Sequence, residues 1–217
     1  RAFAEPSVLE KKVDFSLEVS VIVARSAEGK LASFDPVGMI VDPSLNLLDH
    51  LLAPADLPEP LLIEARELAE KVARDFQVVG LLAVEMFLTK SGELLINEVA
   101  PRPHNSGHHT IEASHSSQYN QLARMLLDKA LGDSAAHSPA ILFNLLGEPG
   151  HSGPALLLGR EEAEKIPGVH IHDYGKIMTK PGRKMGHATI LGKNPGELGE
   201  KLAKVRGLVK YLARGES

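Results

Sequence analysis

The sequence contains no cysteine, which excludes disulfides and thiolate chemistry and is neutral about compartment. No apolar run approaches the roughly 20 residues that a membrane-spanning helix needs. No signal-like segment precedes the first apolar stretch, and the chain opens on Arg1 rather than Met. Strong charge of either sign is also missing. A net charge of −4 gives no reason to expect nucleic acid or an anionic membrane as partner. There is no internal repeat and no low-complexity tract. What remains is ordinary globular composition, 43% hydrophobic and 24% charged over 217 residues, enough for one large or two modest domains with a real core.

Within that ordinary composition, residues 81–100 stand out. Two apolar, partly β-branched runs flank Lys90-Ser91-Gly92-Glu93, the pattern of a β-hairpin. With Ser91 and Gly92 as the loop, Lys90 pairs with Glu93, and counting outward sets Glu85 opposite Glu98. Like charges directly opposed on one sheet face are destabilising. Such a pair calls for a cation between the carboxylates or for a proton on one of them. Mg²⁺, a hard ion that usually brings substrate phosphates with it, fits that demand. Taken alone, the pair reads more readily as two exposed acids on a solvated hairpin.

The next residues change that balance. Pro101-Arg102-Pro103-His104-Asn105-Ser106-Gly107-His108-His109-Thr110 cannot continue a central strand, because proline lacks the donor. The stretch puts Arg102, a planar fork suited to carboxylate, bicarbonate or phosphate, and His104 a few residues from the acids. A zinc cluster of His104, His108, His109 and His115 is the competing metal reading; it lacks a cysteine and a third ligand at a zinc-like helical spacing.

Residues 8–25 alternate with period two. Val13, Phe15, Leu17, Val19, Val21 and Val23 share one face, and Asp14, Ser16, Glu18 and Ser20 the other, which meets water or a cleft. A second strand is expected within 29–40, then a loop rich in Pro, Asp and Leu. A helix is predicted over 59–76, with Leu62, Ala65, Ala69, Val72, Ala73 and Phe76 inward and its charges solvated. Another follows over 117–131, and the small polar residues 132–139 mark a boundary. Strands are predicted at 140–146, 169–176 and 187–191, and a short helix at 160–166. Asn194, Pro195 and Glu197 form a helix-start signal, with the helix running to about Ala213. Lys176, Lys180, Arg183 and Lys184 cluster around Pro181-Gly182, a charge run that by itself reads as a solvated basic tip.

Val-Glu-Met-Phe, the string Ile-Asn-Glu-Val-Ala-Pro-Arg-Pro-His-Asn-Ser-Gly-His-His-Thr at 96–110 and Lys-Pro-Gly-Arg-Lys-Met-Gly-His at 180–187 resemble the N5-carboxyaminoimidazole ribonucleotide synthetases, ATP-grasp enzymes of purine biosynthesis. The likeness runs through nearly the whole chain. It implies an α+β fold. Residues 1–133 would be the carboxy-terminal half of an ATP-grasp module, an antiparallel sheet with packed helices. Residues 138–217 would be a small α+β carboxy-terminal domain closing over the ribonucleotide site. The family's nucleotide-fold-like domain and phosphate-gripping lysines have no counterpart here, so the resemblance implies a fragment that does not catalyse alone.

The resemblance also implies roles. The substrates would be ATP, bicarbonate and 5-aminoimidazole ribonucleotide. Glu10, Lys11, Lys12 and Val13 align with the hinge that lines the adenine, and Glu18 with the acid that binds the ribose hydroxyls. Asn97 and Glu98 belong to the ATP site, and Glu85 and Glu98 to Mg²⁺. Arg102 would hold bicarbonate or carboxyphosphate, while His104, Asn105 and Ser106 orient the aminoimidazole, with His104 as general base. Lys176 and Arg183, then Lys184, would bind the ribonucleotide phosphate. One departure is Ala100, where many ATP-grasp enzymes carry Asn; Asn97 precedes the acid instead and by simple alternation faces away from it. A homodimer in the cytoplasm, with no nucleic acid or membrane partner, completes the expectation. The alternatives are a formate-dependent transformylase, a biotin carboxylase, or a non-catalytic interaction module.

Overall fold

The computed structural model describes residues 7–42 and 47–215. Its first part runs β1 (Phe15–Arg25), β2 (Leu31–Ser33), β3 (Val37–Asp42), β4 (Leu47–Ala53), α1 (Glu59–Asp75), β5 (Gly80–Thr89), β6 (Leu94–Ala100), a 3₁₀ turn (Asn105–Gly107), α2 (Thr110–Ala113) and α3 (Gln118–Leu126). The second part runs β7 (Ala140–Leu146), β8 (Gly153–Leu158), α4 (Arg160–Glu164), β9 (Val169–Asp173), β10 (Met178–Thr179), β11 (Lys184–Leu191), α5 (Pro195–Leu208) and β12 (Lys210–Ala213). One antiparallel sheet takes the order β6-β5-β1-β3-β4-β7-β11-β9, with β2 beside β1, and a smaller sheet is ordered β10-β8-β12. No described helix is long and apolar enough to cross a membrane.

Alternation along β1 and β5 builds a core on each side of the sheet. Val19, Val21, Val23, Leu82, Val84 and Met86 are buried under Ala65, Ala69, Val72 and Ala73 of α1, whose small side chains let the helix approach closely. Full burial of each such Val, Leu or Met is worth about 1.5–3 kcal/mol. The opposite face holds Ile22, Ala24, Leu81, Ala83 and Phe34, covered by Leu122 and Met125 of α3. In the second part, Ile141, Phe143, Ile171, Ala188 and Ile190 pack against Leu198 and Val205 of α5.

Several expectations need correction. The strand expected from residue 8 begins at Phe15, because Phe15 pairs with Thr89 at the end of β5 and the ladder has no partner beyond it. A register shift between Phe15 and Leu17 also takes Phe15 out of the valine stripe, and its ring stacks on Phe87 at 4.5 Å. The single strand expected over 29–40 is two, β2 and β3. The loop expected after it includes residues 43–46, outside the described residues, and it is followed by β4 rather than by more loop. Helix α1 stops at Asp75: Gln77 adopts φ 50°, Gln77 N–H donates to Arg74 O and Val78 N–H to Ala73 O, a Schellman ending. Phe76 therefore sits on the cap, 66% exposed, and not in the apolar stripe. Helix α3 is shorter than expected and ends before Asp128, at φ 50°.

The largest correction is at the carboxy terminus. Asn194 caps α5 as expected, its side chain accepting from Glu197 N–H at 3.0 Å. The helix ends at Leu208, and Lys210–Ala213 pairs as β12 with β8. Buried Val209 and Tyr211 fit period two better than a helical face.

Candidate active site

The β5–β6 hairpin carries the acids, with a geometry the sequence anticipated only in its outcome. Thr89 N–H donates to Glu93 O at 2.9 Å and Gly92 N–H to Thr89 O at 3.0 Å, with Gly92 at φ 87°. The loop is thus three residues, Lys90–Gly92, closed by a left-handed glycine, and not the two-residue loop expected. Leu88 pairs with Leu94, Phe87 with Leu95 and Met86 with Ile96. Continued unbroken, that register would oppose Glu85 to Asn97. A bulge intervenes: Asn97 is the extra residue, and Glu85 pairs with Glu98 after all. The bulge also removes simple alternation as a guide to the exposed Asn97 side chain.

On its other side Glu85 pairs with Ser20 of β1, and Glu18 lies two residues further along the same face. Burial first, then the charges of Glu98 and Glu18, push the Glu85 carboxyl from its usual 4.5 to about 7. Arg102 and Lys184 pull the other way. Glu18 is also raised, by burial and then by Glu98. Glu98 itself is exposed, and a divalent cation would relieve this concentration of acids. Among the described residues no three His, Asp or Glu side chains form a ready metal cage. A cation between Glu85 and Glu98 would have to draw its remaining ligands from elsewhere, and phosphate and water are what Mg²⁺ ordinarily takes.

The loop after β6 folds back over these acids. His104 Nε2 lies 3.5 Å from Glu85 Oε1. Burial and then the Arg102 charge lower the His104 pKa, so the ring is neutral near pH 7 and the contact is not an ion pair. Its Nδ1 lies 2.9 Å from Ser106 Oγ, which in turn lies 2.8 Å from the buried Ser20 Oγ. Ser106 N–H also donates to Nδ1 at 3.4 Å. A main-chain N–H cannot reverse its role, so Nδ1 is the acceptor and the neutral ring carries its proton on Nε2. Asn105 is half-buried in the 3₁₀ turn, and Arg102 is exposed, one nitrogen donating to Pro103 O at 3.0 Å.

The other sequence candidates spread around this centre. Glu10, Lys11 and Lys12 are exposed and Val13 is half-buried in the irregular stretch before β1. In the basic loop Lys176 Nζ donates to Lys184 O and sits over the Tyr174 ring, 5.5 Å from its centroid. Arg183 Nη1 donates to Met178 O at 2.8 Å. Lys184 is exposed, and its charge is the smallest of the causes that shift Glu85 and His104. The four histidines of the zinc alternative have separate partners. His104 meets Ser106, and His108 stacks on His187. His109 Nδ1 bonds Ser106 O, and His115 tilts on His137.

Sequence reasoning missed a seam of rings. His108 stacks between Tyr119 and His187, and His187 stacks on His172 at 4.4 Å, its strand neighbour. His172 Nε2 bonds Glu112 Oε1 at 2.6 Å, and Tyr174 Oη lies 3.0 Å from His187 Nδ1. Burial drives His108 down to about 4 and His187 to about 3, so both are neutral. Gln118 was missed as well. His108 and His187 lie in the strings already quoted, but no local pattern marks Glu112, Gln118, Tyr119, His172 or Tyr174, which meet them across elements far apart in the chain.

Residues 1–119 match the ATP-grasp domain, and residues 140–201 the carboxy-terminal domain of phosphoribosylaminoimidazole carboxylase. The N5-carboxyaminoimidazole ribonucleotide synthase of Bacillus subtilis (strain 168) is 40% identical over 184 residues, 85% of this chain and 46% of that protein. The synthetase structure from Thermotoga maritima superimposes with a TM-score of 0.87 at 41% identity, covering 94% of this chain and 55% of its own. The Aspergillus clavatus synthase, whose structure holds ADP and 5-aminoimidazole ribonucleotide, gives 0.78 at 30% identity over 91% of this chain and 52% of that one. The chain spans about half the length of the curated relatives it matches. A domain match over more than half its residues, on a sheet that opposes two acids beneath a histidine loop, shows that the chain belongs to the ATP-grasp family.

Proposed function

We propose that this chain supplies the metal-binding acids and the ribonucleotide-side wall of an ATP-dependent carboxylase. The reaction joins bicarbonate to the exocyclic amine of 5-aminoimidazole ribonucleotide, giving N5-carboxyaminoimidazole ribonucleotide, ADP and phosphate. The observation that carries the reading is Glu85 opposite Glu98, with His104 against Glu85 and the Lys184 charge within reach. We keep two functional units, residues 1–133 and 138–217, the second closing over the ribonucleotide.

Bicarbonate attacks the γ-phosphate to form carboxyphosphate, and the amine then takes the carboxyl group. Phosphoryl transfer is mainly positioning and charge neutralisation. Mg²⁺, held by Glu85 and Glu98, would offset the phosphate charge. Glu18 would bind the ribose hydroxyls, residues 10–13 would border the adenine, and Asn97 would stand beside the phosphates. Arg102, exposed and with guanidinium nitrogens to spare, would hold bicarbonate or carboxyphosphate. Asn105 and Ser106 would orient the aminoimidazole, and Lys176, Arg183 and Lys184 would take the ribonucleotide phosphate. The Ser106 N–H on Nδ1 favours His104 as a donor from Nε2 to the carboxyl group in transit over a base for the amine. The same reading makes the complete protein a cytoplasmic homodimer.

The test is ADP release by the complete gene product. Release that requires both bicarbonate and 5-aminoimidazole ribonucleotide is the expected result, with none from the 217-residue chain alone. ATP hydrolysis indifferent to the ribonucleotide would sink the proposal. For His104, an Asn variant is expected to lose carbamate formation far more than ribonucleotide binding; equal losses would leave it a binding residue.

A further inference from the structure

Gln118 opens α3 and is fully buried, an unusual place for an amide. That amide is spent on one loop. Its Oε1 accepts from His104 N–H at 3.0 Å, and its Nε2 donates to His104 O at 2.8 Å and lies 3.2 Å from His108 Nδ1. The two bonds to His104 fix the amide's orientation, since its oxygen must face an N–H and its nitrogen a carbonyl. Gripping the N–H and C=O of one residue is what a neighbouring strand does in a sheet. Gln118 is held in turn: its own N–H donates to Thr110 Oγ1 at 3.0 Å, and that hydroxyl donates to Gly107 O at 2.6 Å.

Two features of the loop make this grip consequential. Pro101 and Pro103 have no N–H to give, and Arg102 N–H returns to Ala100 O at 2.9 Å. The first main-chain N–H after β6 to bond outside the loop is therefore that of His104. Space around the amide is also tight. A Cβ on Gly107 would lie 2.8 Å from the Gln118 amide carbon and oxygen.

We propose that Gln118 is a positioning residue of this site: its hold on the His104 peptide sets where the imidazole meets Ser106 and Glu85, and Gly107 lacks a side chain to make room for it. The proposal rests on the reading that His104 works on the reacting groups. In the complete gene product, Gln118→Met removes the amide at near-constant size. The kcat for ribonucleotide-dependent ADP release is expected to fall about 100-fold, the scale of a misplaced reacting geometry. The KM for ATP and the unfolding temperature stay near their wild-type values. Gly107→Ala alone brings a comparable loss, yet it adds nothing to Gln118→Ala, which vacates the space it needs.

Histidine side-chain nitrogen NMR gives a readout independent of turnover. The His104 signature, proton on Nε2 and acceptor at Nδ1, is expected to be lost in Gln118→Met while that of exposed His170 persists. An unaltered kcat, full additivity of the two substitutions, or a joint collapse of kcat, ATP binding and folding would overturn the proposal. If the wild-type product shows no ribonucleotide-dependent turnover but the His104 signal still responds to Gln118→Met, the functional reading has failed and the positioning role stands.

Discussion

Replacing Glu85 by Gln isolates the electrostatic cost of the acid pair. The folded protein holds the Glu85 proton more tightly than the unfolded chain, because burial, Glu98 and Glu18 push its carboxyl from 4.5 to about 7. The stability this group contributes is full below 4.5 and is lost as pH rises through about 7. At ~1.4 kcal/mol per pH unit the interval amounts to about 3 kcal/mol, and solvent screening of a half-buried carboxyl trims it to about 2 kcal/mol. Glu85→Gln keeps the shape and drops the charge. The variant is therefore expected to match the wild type near pH 4 and to exceed it by about 2 kcal/mol near pH 8, read from urea unfolding of the chain. Magnesium binds deprotonated ligands, so it is expected to raise wild-type stability near pH 8 and leave the variant unmoved. A variant weaker than the wild type at the higher pH, or a difference that does not change with pH, refutes the reasoning.

Two further outcomes follow from the basic loop and the ring seam. Lys176→Ala or Arg183→Ala in the complete gene product is expected to raise the KM for the ribonucleotide roughly 10- to 100-fold, the loss of a charge-assisted hydrogen bond or two. The KM for ATP holds, and steady-state kinetics with each substrate varied separates the two. The Glu112 hydrogen bond is the main cause that raises the His172 pKa, against burial. Stability from this pair is full below the ordinary His value of 6.5 and is lost as pH rises through the raised one. Glu112→Gln is accordingly expected to lower the thermal midpoint more near pH 6 than near pH 9; an equal drop at both would assign Glu112 a packing role only.

The features legible in the sequence were those written in neighbouring residues. Helix α1 announced itself through its small apolar stripe, and α5 through Asn194, Pro195 and Glu197. The histidine loop was identifiable as special from residue types alone. The remaining features depend on partners elsewhere in the chain. Strand β12 forms because β8 lies ready to pair with it, and the alternation of Val209 and Tyr211 is too short to outweigh a helical run. Gln118 looks like an unremarkable first-turn residue until His104 lies against it. The Glu85–Glu98 pairing was anticipated through two errors that cancel: the hairpin loop is one residue longer than expected, and the Asn97 bulge restores the count.

A cleft between these acids and the basic loop is not given by strand order. Between β5, which carries Glu85, and β11, which begins at Lys184, stand β1, β3, β4 and β7. Five steps of about 4.8 Å would hold the two strands about 24 Å apart in a flat sheet, well past the ~8–10 Å over which salt lets exposed charges interact. Yet one short loop reaches both strands. The strands between them therefore do not lie in one flat sheet, since the loop after β6 touches both β5 and β11. The loop after β6 spans what remains: His104 rests on Glu85 at one end, and His108 stacks on His187 of β11, 4.9 Å between ring centres, at the other. The loop therefore does more than present side chains. It links β5 to β11, and the Gln118 amide holds it at both contacts, donating to His104 O and lying 3.2 Å from His108 Nδ1.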